Sequence, residues 1–186
     1  MNDLKQNCNC ANKGQSKQSR TSGGRRTSNR NDSVPAFSPA KTQSQTIFIS
    51  DHGPEPYAAN IRQATLQNQN FRTAFWTGTH LQMTLMLIPP GGEIGLEVHP
   101  EVDQFLYIEM GQGLFRGGNR QDTLNLQANV SENSGIFVPA GTWHNVINTQ
   151  GVPLKLFSIY APPQHPSGTV HHTKAEAEAA ESIAKV

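Results

Sequence analysis

The sequence predicts an all-β domain followed by a short C-terminal helix. Short runs of alternating apolar and polar residues recur between clusters of turn-forming residues, with no helical period between them. The 186 residues include 16 glycines and 12 prolines, and only 35% are hydrophobic. This turn-rich composition and length fit one antiparallel barrel or sandwich with an added polar segment.

The polar segment is residues 1–46. It contains eight Lys or Arg side chains and two Asp, whereas the remaining residues contain seven basic and twelve acidic side chains. Because so few apolar residues cannot offset the entropy of ordering, we predict a disordered basic arm. We interpret it as a solubilising arm, and binding of nucleic acid or an acidic surface is the alternative.

Signals for targeting and crosslinking are few. The sequence has no run of about 18 apolar residues that would span a membrane, and no apolar core follows the basic N-terminus as in a secretory signal. Both cysteines, Cys8 and Cys10, lie in the arm and cannot staple the barrel. We therefore expect a cytoplasmic protein, with incorporation into a bacterial coat or surface assembly left open.

The first part of the domain is expected to hold strands and one helix or turn. In order, these are a strand-like run at Thr46–Ser50, a short helix or turn at Ala58–Thr65, and strands at Phe71–Thr77 and Leu81–Ile88. In the last of these, Leu81, Met83, Leu85 and Leu87 form the more apolar face, which is expected to point inward.

The second part is expected to be strands only until close to the C-terminus. They are predicted at Ile94–His99, Gln104–Met110, Gly113–Arg116, Leu124–Ala128, Gly135–Val138, His144–Asn148 and Leu154–Tyr160. Thr173 and Glu176 have the spacing of a capping box, which predicts a helix within residues 173–186. The barrel domain is thus expected to cover residues 47–172, and His171 and His172 are interpreted as solvated loop histidines.

Two separated stretches carry the chemistry. Glu97 and His99 are two residues apart, so on an extended strand they point to the same side. Gln104 follows soon after, and His144 comes directly behind a turn that starts at Pro139. Two imidazoles with a carboxylate suit a divalent metal ion such as non-haem iron. Asp103 competes with Gln104 as an oxygen ligand.

These stretches resemble the paired motifs of the cupin superfamily. The first motif matches at Gly91, His99 and Gly111, with Glu97 in place of its first His and Gln104 in place of its Glu, and the second matches at Pro139, Gly141, His144 and Asn148. The resemblance implies a double-sheet jelly-roll barrel. It also implies that one metal ion is held by Glu97, His99, Gln104 and His144. Gly111 sets the register that favours Gln104 over Asp103.

The resemblance implies a fold and a site more than a reaction. We expect a divalent ion (Fe, Mn, Ni, Co or Zn) and a small-molecule enzyme, either an oxygenase or isomerase-like. The alternative is a non-catalytic binding or structural module held in an assembly by the basic arm. We also expect a homodimer, because Phe105 and Tyr107 are predicted to face outward and are costly to leave in water.

Overall fold

A computed structural model describes residues 46–183 of the chain. The predicted arm, including Cys8 and Cys10, lies outside these residues apart from Thr46. Within the described range, no helix is long and apolar enough to cross a membrane.

The described chain is built from two helices and nine strands. In order, they are α1 (Ile61–Gln67), β1 (Arg72–Thr77), β2 (Gln82–Ile88), β3 (Asp103–Met110), β4 (Gln112–Gly118), β5 (Leu126–Ser131), β6 (Gly135–Val138), β7 (Trp143–Asn148), β8 (Leu154–Ala161), β9 (Val170–His171) and α2 (Lys174–Ile183). The strands form two antiparallel sheets, one with the order β6-β3-β8-β2-β1-β9 and one with the order β5-β4-β7. The predicted all-β class and the C-terminal helix are confirmed.

The main core lies between the two sheets. It includes Met86 on β2, Ile108 on β3, Leu156 on β8 and Val146 on β7, all fully buried. Antiparallel register places Met86 opposite Leu156 and Leu156 opposite Ile108, so these three side chains share one face of the larger sheet. Burying this apolar layer is the main favourable term that holds the sheets together.

The predicted inward face of β2 is wrong. Gln82, Thr84, Met86 and Ile88 point between the sheets and are fully buried. Met83 and Leu85 lie on the opposite face, in a second cluster with Ala64 and Phe75 that Ile47 and Ile49 partly cover. Hydrophobicity alone predicts the wrong face because α1 and the chain before it cover the outside of this sheet, so its outer face is apolar too.

Three other strand predictions need correction. Residues 94–99 form no strand and contribute only the isolated bridge between Glu97 and His144, after the positive φ of Gly95 interrupts the extended backbone. Thr46–Ser50 is also not a strand, although Ile47 and Ile49 pack on the sheet. The strand predicted at Leu124–Ala128 is displaced and runs over Leu126–Ser131.

The space between the sheets becomes polar at one end. Gln82 and Gln104 both pair with Tyr160, and Thr84 pairs with Ser158. All five side chains are buried, so this end of the barrel contains hydroxyl and amide groups where the other end contains aliphatic ones. A buried polar layer of this kind requires partners for its polar atoms.

Helix α2 begins after the predicted capping residue. The hydroxyl of Thr173 accepts a hydrogen bond from the backbone N–H of Glu176 at 3.2 Å, as a capping box requires. The carboxylate of Glu176 accepts from the N–H of His172 at 2.7 Å, one residue further back than in the usual motif.

Candidate metal centre

Glu97 and His144 are joined through their backbones. The N–H of Glu97 donates to the carbonyl of His144 at 3.0 Å, and the N–H of His144 donates to the carbonyl of Glu97 at 2.9 Å. This reciprocal pair brings the two predicted stretches together at the polar end of the barrel.

The turn before His144 fixes the position of His99. Thr142 donates its N–H to the carbonyl of Pro139 at 3.1 Å, and Gly141 donates its N–H to the carbonyl of His99 at 2.8 Å. Gly141 has a φ of +78°, which favours glycine at this position. The Pro-x-Gly sequence therefore positions both imidazoles, His144 through the strand that follows and His99 through this hydrogen bond.

Three ligand atoms converge as a result. Oε1 of Glu97 lies 3.4 Å from Nε2 of His99 and 3.3 Å from Nε2 of His144. Within residues 46–183, these three side chains form a group whose ligand atoms all lie within 4.8 Å of one another. All three atoms are buried and none makes a hydrogen bond within the described chain.

The tautomer of His144 leaves its Nε2 without a proton. Its Nδ1 lies 2.9 Å from the carbonyl oxygen of Thr142, which can only accept, so Nδ1 carries the proton. In the neutral ring, Nε2 then presents a lone pair to the carboxylate oxygen of Glu97. Two lone pairs at this distance repel each other, and a cation between them removes the repulsion.

Glu97 is held in its charged form. Burial by itself would raise the pKa of this carboxyl, but hydrogen bonds from His144 and His99 when their Nε2 atoms carry a proton, together with the positive charge of Arg72, outweigh it and hold the pKa well below its usual range. Nη2 of Arg72 lies 3.9 Å from Oε2 of Glu97, and the Arg72 side chain is 1% exposed. Oε2 thus faces a cation already, and Oε1 is left for another.

Gln104 and Asp103, the two candidates for the oxygen ligand, lie in different environments. Gln104 is buried at the polar end of the barrel, where its Oε1 has no hydrogen-bond partner and its Nε2 donates weakly to the hydroxyl of Ser158 at 3.4 Å. Asp103 is exposed, and its Oδ1 accepts from the N–H of Ala140 at 2.9 Å. Gln104 therefore lies on the same side of the sheet as the other candidate ligands, and Asp103 does not.

A cavity of about 440 Å³ adjoins these residues. Its lining includes Glu97, His99, Trp143, His165, His171 and Glu181. The volume lies within the range of small-molecule sites. Helix α2 and the chain between β8 and α2 form part of its wall.

Three residues near this cavity carry no recognisable signal in the sequence. Arg72 and Tyr160 lie at alternating strand positions whose inward direction becomes evident only once the register is known. His165 lies in an irregular segment, where no periodic signal exists. His171, interpreted as solvated, is instead half-buried in β9, and its Nδ1 is buried without a partner.

Comparison with known proteins supports the fold. A model of the cupin domain family matches residues 84–160. The uncharacterized protein YrkC of Bacillus subtilis (strain 168) is 59% identical over 139 residues, which are 75% of this chain and 75% of YrkC. The uncharacterized protein L612 of Acanthamoeba polyphaga mimivirus is 38% identical over 115 residues, covering 61% of this chain and 70% of L612.

One solved structure matches closely. The crystal structure of BH2720 from Bacillus halodurans has a TM-score of 0.70 and 59% sequence identity, and the match covers 70% of this chain and 99% of that chain. The similarity therefore extends over nearly the whole of the solved chain.

Proposed function

Since this chain belongs to the cupin family, we propose that it is a small-molecule enzyme in which Glu97, His99 and His144 hold one divalent metal ion. The observation that carries the proposal is the convergence of three buried, unpartnered ligand atoms within 4.8 Å. Buried polar atoms in folded proteins rarely lack partners, so three such atoms facing one point indicate a bound group.

The donor set fits the ion. Two imidazole nitrogens and one carboxylate oxygen suit Fe, Mn, Ni, Co or Zn, and they leave coordination positions open. Gln104 provides a further oxygen, because its Oε1 is buried and unpartnered. When bound, the ion supplies a Lewis acid or, if it is redox-active, a centre that activates dioxygen.

The protein's own groups prepare the site for this chemistry. The carbonyl of Thr142 accepts the proton of His144 Nδ1 in a hydrogen bond and so fixes the tautomer that leaves Nε2 free. Arg72 helps to keep Glu97 ionised. Burial, aided by the charge of Glu97, raises the pKa of Tyr160 to about 12, so its hydroxyl keeps its proton and remains a hydrogen-bond donor.

Tyr160 lies next to one of the proposed ligands. Its ring lies edge-on to that of His99, with centroids 5.7 Å apart, and its hydroxyl is buried. Trp143 and Leu96 contribute apolar surface to the lining of the cavity. A protonated phenol beside a metal site suits a ligand that carries oxygen atoms.

Metal analysis tests the proposal. Metal-stripped protein is reloaded separately with each of the five ions, and we expect about one equivalent of the preferred ion. His99→Ala and His144→Ala should each lose the ion, because the two facial ligands that remain do not bind it tightly. His80→Ala and His172→Ala are matched controls, since both histidines are exposed. Loaded protein is then assayed for oxygen uptake and for isomerisation across a small-molecule panel.

Two results would reject the proposal in different ways. If both alanine variants keep one equivalent as tightly as the parent protein, the metal site is elsewhere. If the metal binds as expected but no member of a broad panel is converted or bound, the chain is a metal-binding module and not an enzyme.

A further inference from the structure

The segment between β8 and α2 forms one wall of the cavity. It contributes Gln164, His165, Pro166, Thr169 and His171 to the lining. Two of these are histidines whose ring nitrogens, Nε2 of His165 and Nδ1 of His171, are buried and make no hydrogen bond within the described chain. A buried unpartnered nitrogen in a cavity wall indicates a missing partner there.

This wall is held firmly in place. The side-chain amide of Gln82 donates to the carbonyl of His165 at 2.8 Å, and its oxygen accepts from the N–H of His165 at 2.9 Å. The carboxylate of Asp51 accepts from the hydroxyl of Ser167 at 3.0 Å and from the N–H of Gly168 at 2.8 Å. The two imidazoles are therefore presented by a fixed backbone, as binding residues usually are.

Neither imidazole belongs to the metal-ligand group, which consists of Glu97, His99 and His144. The ring of Tyr160 separates His165 from His99. Its centroid lies 5.7 Å from that of His99 and 5.1 Å from that of His165, with both neighbours edge-on. His165 thus lines the same cavity one ring further out than His99 and outside the group of candidate ligand atoms.

The rings of His165 and His171 are both uncharged at neutral pH. Burial, with the nearby charge of Arg72, lowers the pKa of His165 to about 3. The same two causes lower the pKa of His171. A neutral imidazole has one N–H donor and one acceptor nitrogen but no charge. Such a group matches a hydroxyl, which both donates and accepts, better than it matches a carboxylate or a phosphate.

We propose that His165 and His171 bind hydroxyl groups of a small hydroxylated ligand whose other end is an oxygen group placed at Glu97, His99 and His144. This inference rests on the proposed metal site, because that site anchors the other end of the ligand. It narrows the substrate class to compact molecules with an anionic or carbonyl oxygen at one end and at least one hydroxyl beyond it.

A pair of matched probes tests the inference. Racemic lactate and racemic glycerate are alike in their metal-chelating end and differ only in that glycerate has a hydroxyl where lactate has a methyl hydrogen. Each is titrated into cobalt(II)-loaded protein while the cobalt d–d absorption and the heat of binding are recorded. One hydrogen bond made by the added hydroxyl should favour glycerate by roughly 3- to 10-fold.

Substitutions at His165 and His171 test whether this wall of the cavity causes the preference for glycerate. His165→Phe should remove the preference while lactate still binds, and His165→Gln should restore part of it because its amide reaches the place of Nε2. His171→Leu provides a second test at a less buried position, and His80→Phe is the control because His80 does not line the cavity. Cobalt stoichiometry is measured for every variant.

The outcomes separate this inference from the proposed function. If parent protein fails to take up cobalt, the metal proposal fails and the inference falls with it. If cobalt binds but the parent protein shows no preference for glycerate, the inference alone is overturned. It is likewise overturned if the preference survives in both His165→Phe and His171→Leu.

Discussion

The guanidinium of Arg72 donates from Nη1 to Oε1 of Glu181 at 3.1 Å, although the two residues are 109 positions apart. The same guanidinium faces Glu97, so this contact ties helix α2 to the carboxylate of the candidate metal centre. The terminal helix is thereby part of the wall around the site, and Glu181 also lines the cavity.

Glu181→Gln is expected to lower the free energy of unfolding by about 1–2 kcal/mol. The Arg72 side chain is 1% exposed and would lose one of its two carboxylate partners, whereas the exposure of Glu181, 41%, limits the loss. Glu178→Gln is the matched control, because Glu178 lies on the same helix and its ion pair is with the partly exposed Lys174 across one turn. Urea unfolding of metal-free protein measures both, and equal effects of the two changes would contradict this account.

Stability in acid should depend on His165. Its folded-state pKa of about 3 lies below the ordinary value of 6.5, first because of burial and then because of Arg72. The unfolded chain therefore binds a proton between these two values that the folded chain does not, so the contribution of His165 is fully present above pH 6.5 and is lost as the pH falls towards 3.

His165→Gln removes this titration while keeping a polar side chain. Denaturant unfolding of metal-free parent protein and variant is compared at several pH values between about 7.5 and 4. We expect the parent to lose stability relative to the variant by up to about 1.4 kcal/mol per pH unit below about pH 6. Parallel curves for the two proteins would show that His165 titrates in the fold as it does in the unfolded chain.

The sequence was sufficient for much of the fold because strand signals are local. Alternation and turn residues located β2, β3, β6, β7 and β8 to within a residue or two. The direction of β2 was not predictable, because α1 and the preceding chain cover the outer face and both faces are consequently buried. Residues 94–99 form no strand because the positive φ of Gly95 breaks the extended backbone and leaves the isolated bridge between Glu97 and His144.

The candidate site, like the fold, could be predicted only in part from the sequence. Glu97, His99 and His144 could be proposed as ligands because their spacing and the turn before His144 resemble the cupin motifs, which consist of residues close together in the sequence. Arg72 and His165 could not, because each reaches the site through contacts distant in sequence. Nothing in the residues around His165 shows that Gln82 will hold its backbone.

The outer face of the larger sheet carries an aromatic cluster consisting of Phe105, Tyr107, Phe137 and Phe157. The ring centroids of Phe105 and Phe137 are 4.9 Å apart, those of Tyr107 and Phe157 are 5.2 Å apart, and Phe137 is 79% exposed on the edge strand β6. We expect this face to pair with a second copy of the chain, because a cluster of this kind is costly to leave in water.

Phe137→Asp should therefore dissociate the dimer. Each protomer would lose the burial of one large aromatic side chain, roughly 1.5–3 kcal/mol, which together weakens association more than about 100-fold. Sedimentation at micromolar concentration measures the change. Leu126→Asp is the control, since Leu126 is exposed on β5 of the other sheet. A parent protein that sediments as a monomer would disprove the prediction.

Substitutions at Gln104 and Asp103 test which neighbouring residue serves the metal. Gln104→Ala should weaken metal binding by roughly tenfold, because a neutral amide oxygen is the weakest donor of the proposed set. A loss of this size is also expected if Gln104 only supports the ligands without touching the ion. Gln104→Glu should tighten binding, since a carboxylate adds a full charge facing the ion. His144→Ala, which removes an imidazole, should cost far more than either change.

Asp103→Asn is the matched control for this comparison. The amide oxygen of Asn can still accept from the N–H of Ala140, the contact that Asp103 makes at 2.9 Å, so the turn before His144 is preserved while the charge is lost. Affinity should then change by less than about twofold, because an exposed charge is strongly screened. Metal affinity is measured at one fixed pH for all variants, since imidazole must be neutral to bind. If Asp103→Asn loses the metal while Gln104→Ala keeps it, the side chain that serves the ion is Asp103, and the inward position of Gln104 has another purpose.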